Sequence, residues 1–183
     1  MNASSAQDHS SLERQGDVRE VGAEAVWSLS SCMPGFGVDQ LRDNCLDTYW
    51  QSDGDQPHEV NIQFHRKTAI QAVCIYVDYE RDESYAPKRI AVKVGSTFHD
   101  LRVVDTVDLN EPTGWVHIAT QDSDGRPVRT FLVQIAVLAN HKYGQDTRLR
   151  QIKLYSPVMR ATVSVLPGVN FTSAECIAFS SIR

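Results

Sequence analysis

The fold is indicated most clearly by residues 27–65, WSLSSCMPGFGVDQLRDNCLDTYWQSDGDQPHEVNIQFH. Up to His58 this stretch is rich in aromatic residues, acidic residues and turn formers and has no periodic pattern, so we expect a long irregular segment. Val60, Ile62 and Phe64 then alternate with polar residues, which is the pattern of a half-buried strand. Because long aperiodic segments are uncommon in compact domains and are usually functional, this one is a candidate binding segment.

Six further segments carry strand signals, with turn-forming residues between them: 70–79, 90–94, 101–109, 115–118, 131–138 and 151–155. The spacing, without strand–helix–strand alternation, predicts an all-β antiparallel sandwich or barrel and disfavours a parallel α/β fold. A facing sheet must cover the apolar side chains of the strongest strand. We therefore expect the core to contain Phe131, Val133, Ile135 and Val137, or the residues that alternate with them.

Helical signals are short and fall inside the irregular segment. Residues 39–42 could form one turn, and a second is indicated by i, i+3, i+4 spacing of Leu46, Tyr49 and Trp50. An acidic series in the same region could alternatively ligate calcium: Asp39, Asp43 and Asp47. The series lacks the glycine-punctuated spacing of a calcium loop, so charge on a helix surface is the favoured interpretation.

The composition is that of an ordinary globular protein, with 183 residues, 42% hydrophobic and 22% charged. A net charge of −5 argues against nucleic acid or an anionic membrane surface as partner. The first fifteen residues contain no apolar signal-peptide core, and no stretch approaches the roughly 18 apolar residues of a membrane helix. We therefore expect a soluble intracellular protein.

The chain divides into three parts. Residues 1–15 are polar and rich in serine, and we expect a disordered tail. Residues 16–157 contain the strand signals and are predicted to form one sandwich domain. Residues 158–183 have weak periodicity and are predicted to form an extended, flexible C-terminal tail.

The four cysteines and the common catalytic patterns point away from a metal site and from an enzyme. Cys32, Cys45, Cys74 and Cys176 include no close pair, which excludes a zinc ribbon or RING, and Cys74 is expected to be a small buried hydrophobe. Nucleophile-elbow, phosphate-loop, dinucleotide and zinc-protease motifs are all missing, which disfavours a hydrolase. The adjacent acids Asp82 and Glu83 are most simply solvated loop residues. No catalytic residue, metal or cofactor is predicted.

Polar and aromatic residues concentrate in three segments next to strong strands: 49–54 (YWQSDG), 80–87 (ERDESYAP) and 139–148 (ANHKYGQDTR). Core packing is the simpler role for Trp27 and Trp50. Asn140 and His141 could cap a turn as readily as bind a ligand. Three such loops on one domain favour a binding surface.

Residues 25–58, together with the segments VNIQF, CIYVDY, DESYAP, QIAVLANH and RQIKLYSP, closely resemble the Doc-domain family of anaphase-promoting complex subunits. The resemblance covers residues 18–157 and the terminal Ile182–Arg183. It implies a jelly-roll β-sandwich like galactose-binding and discoidin modules, without catalytic activity of its own. It further implies a co-receptor that acts with a WD40 activator on destruction-box degrons, short peptides of R-x-x-L type. Such a subunit promotes processive ubiquitination in the cell cycle, in the nucleus and cytoplasm, while cullin and RING subunits supply the ligase chemistry.

The degron-binding residues that the resemblance implies are Gln51, Asp53, Glu83, Ser84, Asn140, His141 and Tyr143. Asp53 and Glu83 would supply negative potential for the essential arginine of the degron, since carboxylates bind guanidinium through charge-assisted hydrogen bonds. The family pattern N-H-x-N-G-R-D-T-H is changed at three positions here, to Tyr143, Gln145 and Arg148.

The resemblance also implies that Ile182 and Arg183 dock into a tetratricopeptide-repeat scaffold subunit, because a chain end offers an apolar side chain, a guanidinium and a carboxylate together. An alternative function stays open at this point. A fold does not determine a function, so an intracellular carbohydrate- or small-ligand-binding module of the same galactose-binding fold would share the strand pattern.

Overall fold

The computed structural model describes residues 13–158. Residues 1–12 and 159–183, to which the two predicted tails belong, lie outside the described part. The strands are β1 (Val18–Glu20), β2 (Ala25–Leu29), β3 (Trp50–Gln51), β4 (His58–Ile70), β5 (Ala72–Asp78), β6 (Pro87–Gly95), β7 (Arg102–Asp108), β8 (Thr113–Ala119), β9 (Val128–Asn140), β10 (Arg148–Leu149) and β11 (Gln151–Pro157). Short helices α1 (Val38–Arg42) and α2 (Tyr79–Asp82) and 3₁₀ turns at Gly22–Glu24, Glu83–Tyr85 and His141–Tyr143 lie between them.

Two antiparallel sheets form a sandwich. One has the strand order β2-β4-β9-β6-β7 and the other β1-β11-β5-β8, while β10 and β3 form a two-stranded ribbon. The all-β sandwich predicted from strand spacing is therefore confirmed, and each of the seven predicted segments corresponds to a strand. In the part of the chain that the structure describes, no helix is long and apolar enough to cross a membrane.

Alternating apolar residues from both sheets form one core. Val133, Ile135 and Val137 of β9 are buried in it, as predicted, together with side chains of β5 and β11 such as Ile75 and Leu154. Phe131 is only partly buried, so that predicted core position is wrong. β9 is the central strand of its sheet, between β4 and β6, and three residues on its second face are buried as well: Leu132, Gln134 and Ala136.

The segment predicted to be irregular contains two short strands. Its first residues belong to edge strand β2, and Trp50 belongs to β3 instead of a helical turn. The helical interpretation fails because the backbone of Trp50 pairs with Leu149 while its indole fills the core and donates to Ser31 O at 3.0 Å. The turn predicted at residues 39–42 is present as α1.

The acidic series at positions 39, 43 and 47 does not converge on an ion. Asp43 accepts hydrogen bonds from Thr48 Oγ1 at 2.6 Å and from Gln151 Nε2 at 2.7 Å. Asp47 instead forms an exposed ion pair with Arg81 at 2.5 Å. No group of three His, Cys, Asp or Glu side chains within residues 13–158 is placed to hold a metal ion.

Cys74 lies in a second apolar cluster, with Val18, Ala72 and Tyr155, on the face of the smaller sheet that points away from the core. Its Sγ is 3.0 Å from His117 Nδ1. Burial removes water from the thiol and raises its pKa to about 12, so the group stays protonated near neutral pH. Cys74 is buried among apolar side chains, as predicted for a small buried hydrophobe.

Cys74 is expected to resist alkylation in the folded protein. A pKa of about 12 in place of 9.0 lowers its thiolate fraction about a thousandfold near neutral pH, and the thiolate is the reactive species. Timed iodoacetamide labelling followed by peptide mass spectrometry measures this. Exposed Cys32 is the internal control and should react first, whereas equal labelling of Cys32 and Cys74 under native conditions would contradict the prediction.

Candidate functional site

Three loops meet at one end of the sandwich and are called here the three-loop surface: residues 51–57, 79–86 and 140–148. They meet because β4 begins, and antiparallel β9 ends, at the same edge, where His58 pairs with Val137. The sequence segments predicted to form a binding surface are therefore brought together.

Thr147 joins all three loops from a fully buried position. Its N–H donates to Ser52 Oγ at 2.8 Å, and its carbonyl accepts from Ser52 N at 3.1 Å. Its hydroxyl donates to Tyr85 O at 3.3 Å. We did not identify Thr147 from the sequence, and its place in the family's D-T pair was the only signal that could have found it.

Gly144 allows the second and third loops to touch. A Cβ at this position would lie 1.8 Å from Ser84 O, well inside van der Waals contact. The loops are also joined by His141 N, which donates to Ala86 O at 2.9 Å. The backbone φ of Gly144 is −59°, so close approach, and not backbone conformation, requires glycine here.

Asn140 and His141 have mixed roles. The Asn140 amide is buried and donates to Gly144 O at 3.3 Å and Asp146 O at 2.8 Å, so it braces the loop as the turn interpretation predicted. The His141 ring packs edge-on against Tyr79 with centroids 4.9 Å apart. The structure thus places both residues in the wall of the surface and not on its rim.

Three buried side-chain atoms in the described chain have no hydrogen-bond partner, and all three lie at this end: His58 Nδ1, Asn140 Oδ1 and His141 Nε2. The Nε2 atom of His58 is 2.6 Å from Gln145 O and donates to that carbonyl. Buried polar atoms are ordinarily hydrogen-bonded. This end of the sandwich therefore has unused hydrogen-bonding capacity.

A cleft of about 410 Å³ opens between the first and third loops and is lined by Gly54, Asp55, Gln56, Ala139, Asn140, Tyr143, Gly144 and Gln145. Tyr143 stands fully exposed at φ +57°, in the left-handed region that few non-glycine residues adopt. Ser84 and Glu83 do not line the cleft. Ser84 lies against Gly144, and Glu83 forms an ion pair with Lys142 at 3.0 Å that raises the pKa of the lysine.

Two carboxylates on the first loop remain available to bind a ligand. Asp53 and Asp55 are exposed, and neither forms an ion pair with any residue in the range 13–158. The charge of Glu83 is offset by Lys142. Negative potential at the surface therefore comes from Asp53 and Asp55 more than from Glu83. Asp55 was not among the predicted residues, and only its position in the first loop could have indicated it.

Gln51 belongs to the framework beneath the surface. It is buried, and its Oε1 accepts from Arg148 Nε at 3.0 Å. The Arg148 guanidinium lies over the rings of Tyr49 and Tyr85, at 4.4 and 4.2 Å from their centroids. Arg148, a departure from the family pattern, thus links the first loop, through its hydrogen bond to Gln51, to the second loop, through its cation–π contact with Tyr85.

The interpretation of Asp82 as a solvated acid is wrong. Asp82 is buried and accepts two hydrogen bonds from the buried Arg150, at 2.9 and 2.8 Å. Arg150 also donates to Leu46 O at 2.8 Å. This pair fixes the end of α2 on the sandwich and so positions the turn that carries Ser84.

Comparison with known proteins identifies the family to which this chain belongs. The family model described as "Anaphase-promoting complex, subunit 10 (APC10)" matches residues 1–181. The chain belongs to this family. Its human member is 55% identical over 176 residues, covering 96% of this chain and 94% of the relative. The Drosophila melanogaster member is 57% identical over 180 residues, covering 98% and 92%.

The family resemblance found in the sequence is therefore confirmed, and it supports a role as a subunit of the anaphase-promoting complex, within the ubiquitin pathway and the cell cycle. Among solved structures, the family 32 CBM from C. perfringens NanJ, in complex with galactose, superimposes with a TM-score of 0.63 at 10% identity. The match covers 76% of this chain and 99% of that one. It confirms the galactose-binding, discoidin-like fold and says nothing further about function.

Proposed function

We propose that this chain is a non-catalytic co-receptor for destruction-box degrons, which the three-loop surface binds together with a WD40 activator. It works in the nucleus and cytoplasm, and the cullin and RING subunits of the complex supply the ligase chemistry. The observation that carries the proposal is the cleft between the first and third loops, with Asp53 and Asp55 free beside it.

The charge and shape of the cleft suit the ends of an R-x-x-L peptide. Exposed carboxylates can hold the arginine by charge-assisted hydrogen bonds. Tyr143 presents a ring and one hydroxyl at the rim, where an aliphatic side chain could pack. Ser84, against Gly144, borders the same loop.

A non-catalytic role agrees with the chemistry of the described side chains. A thiol–imidazole contact does occur, between Cys74 and His117 at 3.0 Å, but it lies away from the three-loop surface. A nucleophilic cysteine needs a lowered pKa, whereas burial raises that of Cys74. Such a surface is expected to bind a degron weakly alone and effectively beside an activator, because linked partial sites gain from effective concentration.

The double variant Asp53→Asn with Asp55→Asn is expected to shorten ubiquitin chains on destruction-box substrates while leaving assembly of the complex unchanged. Both substitutions keep side-chain shape and remove only charge at exposed positions. Losing one charge-assisted contact to the degron arginine should reduce affinity about tenfold. The measurement is chain length per substrate-binding event in a reconstituted complex, with an activator present.

Asp39→Asn with Asp105→Asn is the matched control, since it removes the same charge from exposed positions outside the three loops. On a degron whose arginine is replaced by alanine, the Asp53/Asp55 variant and the parent chain should build ubiquitin chains of the same length. Equal processivity of the parent and the Asp53/Asp55 variant would contradict the proposal. Binding of galactose in the cleft, with no binding of the degron there, would favour the carbohydrate-binding alternative instead.

Removal of Ile182 and Arg183 is expected to weaken incorporation into the complex without unfolding the sandwich. Both residues lie outside the described part of the chain, so their docking into a tetratricopeptide-repeat subunit stays a prediction. The last strand of residues 13–158 ends at Pro157, well before the deletion. Co-purification with repeat subunits measures incorporation, and thermal unfolding serves as the folding control. Undiminished co-purification of the truncated chain would refute the docking prediction.

A further inference from the structure

A second cleft, of about 460 Å³, lies at the end of the sandwich opposite the three-loop surface. Its charged lining residues are all cationic: Arg19, Arg66, Lys67 and Arg129. His58, at the three-loop end, pairs with Val137, and Thr68, in this cleft, pairs with Thr130; these partners are seven residues apart on β9, which places the two clefts about 23 Å apart at roughly 3.3 Å per residue. We call it the cationic cleft.

A β-bulge creates this cleft. Gln63 pairs with Leu132 and Thr68 with Thr130, so residues 64–67 of β4 stand opposite a single residue of β9. His65, Arg66 and Lys67 are consequently all exposed in succession, whereas a regular strand would turn every second side chain inward. Thr68 Oγ1 donates to Arg66 O at 3.0 Å and holds the bulge. The bulge thus presents two adjacent cations to solvent.

The positive charge of the cleft is only partly offset. Glu24 pairs with Arg19 at 2.5 Å and with Arg66 at 3.1 Å, and hydrogen bonds from these two arginines lower its pKa. Lys67 and Arg129 form no ion pair with any residue from 13 to 158. Four cations and Glu24 leave three positive charges in one place on a chain whose net charge is −5.

We propose that the cationic cleft docks an extended acidic segment of a partner protein. Guanidinium groups bind carboxylates through two parallel hydrogen bonds, and Lys67 adds a point charge. The floor of the cleft includes Ala69, Pro157 and Val158, against which apolar side chains between the acidic ones can pack. The overall negative charge of the chain disfavours nucleic acid, whose binding rests on a broad positive surface.

The occupant is a separate chain and not a terminus of this one. Residues 159–183 include a single acidic residue, Glu175, and residues 1–12 include only Asp8. Neither segment carries the clustered carboxylates that three uncompensated cations call for. The proposal does not depend on degron binding, because the two clefts lie at opposite ends and can be occupied together.

The test measures binding of the full-length chain to a short fluorescein-labelled peptide of alternating glutamate and alanine, by fluorescence anisotropy at low and at high salt. Lys67→Gln with Arg129→Gln is expected to weaken binding about tenfold, since two exposed charge contacts are lost. Binding by the parent chain should fall as salt rises. Lys88→Gln with Arg102→Gln removes the same charge elsewhere and should leave the affinity unchanged. Thermal unfolding confirms that both variants fold.

Two further probes define the class of ligand. The same peptide with glutamine in place of glutamate should not bind, and a single-stranded oligonucleotide of similar length should bind more weakly than the acidic peptide. Equal affinity of the Lys67/Arg129 variant and the parent, or preference for the oligonucleotide, would overturn the proposal. Degron-dependent processivity of the Lys67/Arg129 variant should stay unchanged, which separates failure here from failure of the proposed function.

Discussion

Replacing Asp82 with alanine is expected to lower the free energy of unfolding by about 3–5 kcal/mol. The side chains of Asp82 and Arg150 are only 1% and 4% exposed, and Asp82 accepts both hydrogen bonds of the guanidinium fork. The variant would leave the Arg150 charge buried without its carboxylate, which low-dielectric surroundings penalise strongly. Urea unfolding of the full-length chain measures the change.

Two comparisons separate this effect from general loss of a carboxylate. Asp47→Ala removes an acid whose ion pair with Arg81 is exposed, and it should change stability little. Asp82→Leu with Arg150→Met removes both charges and should recover much of the stability that Asp82→Ala loses. If Asp82→Ala is no less stable than Asp47→Ala, the buried pair does not contribute as described.

Gly144→Ala is expected to disrupt the three-loop surface while the sandwich stays folded. The new Cβ would lie 1.8 Å from Ser84 O, so the second and third loops must separate. Overpacking of this kind is unfavourable by about 1–3 kcal/mol and moves the backbone. Because Ser84, Asn140 and His141 are positioned through this contact, we expect degron-dependent chain extension to fall about tenfold or more.

Amide hydrogen exchange should show faster exchange in the second and third loops, and unchanged exchange in β4 and in the part of β9 before Asn140, the β9 residue whose side chain donates to Gly144 O. Gly37→Ala is the matched control, because its nearest neighbour beyond the adjacent residues is Cys32 Sγ at 4.0 Å. A Gly144→Ala chain with parental processivity and parental exchange would show that the loops adapt to the added carbon.

The long strands could be predicted because their signal is local. Val60, Ile62 and Phe64 alternate with polar residues, and β4 forms around them. Strands β1, β2, β3 and β10 are only 3, 5, 2 and 2 residues long, too short for a periodic pattern to identify them. They exist because a longer strand, or each other, offers a free edge for pairing.

The candidate site, too, could be predicted from the sequence only in part. The three segments that form the surface could be recognised from turn-forming, polar and aromatic residues beside strong strands, and the family resemblance adds residue roles that are still to be tested. Which residues of the surface brace the loops and which stay exposed could not be predicted. Asp82 was expected in solvent, yet its partner Arg150 lies 68 residues away along the chain. Thr147 bonds to Ser52 and Tyr85, which lie 95 and 62 residues away along the chain.

By itself, the amino-acid sequence determined the all-β class, the positions of the long strands and the family, because periodic burial and family motifs are properties of neighbouring residues. Only the tertiary structure decided that Gln51 and Asp82 are internal braces, that Asp53 and Asp55 are free, and that a bulge gathers cations at the far end. Burial, pairing and local charge depend on which distant segments pack together. A side chain's role therefore follows from partners that its own stretch of sequence does not contain.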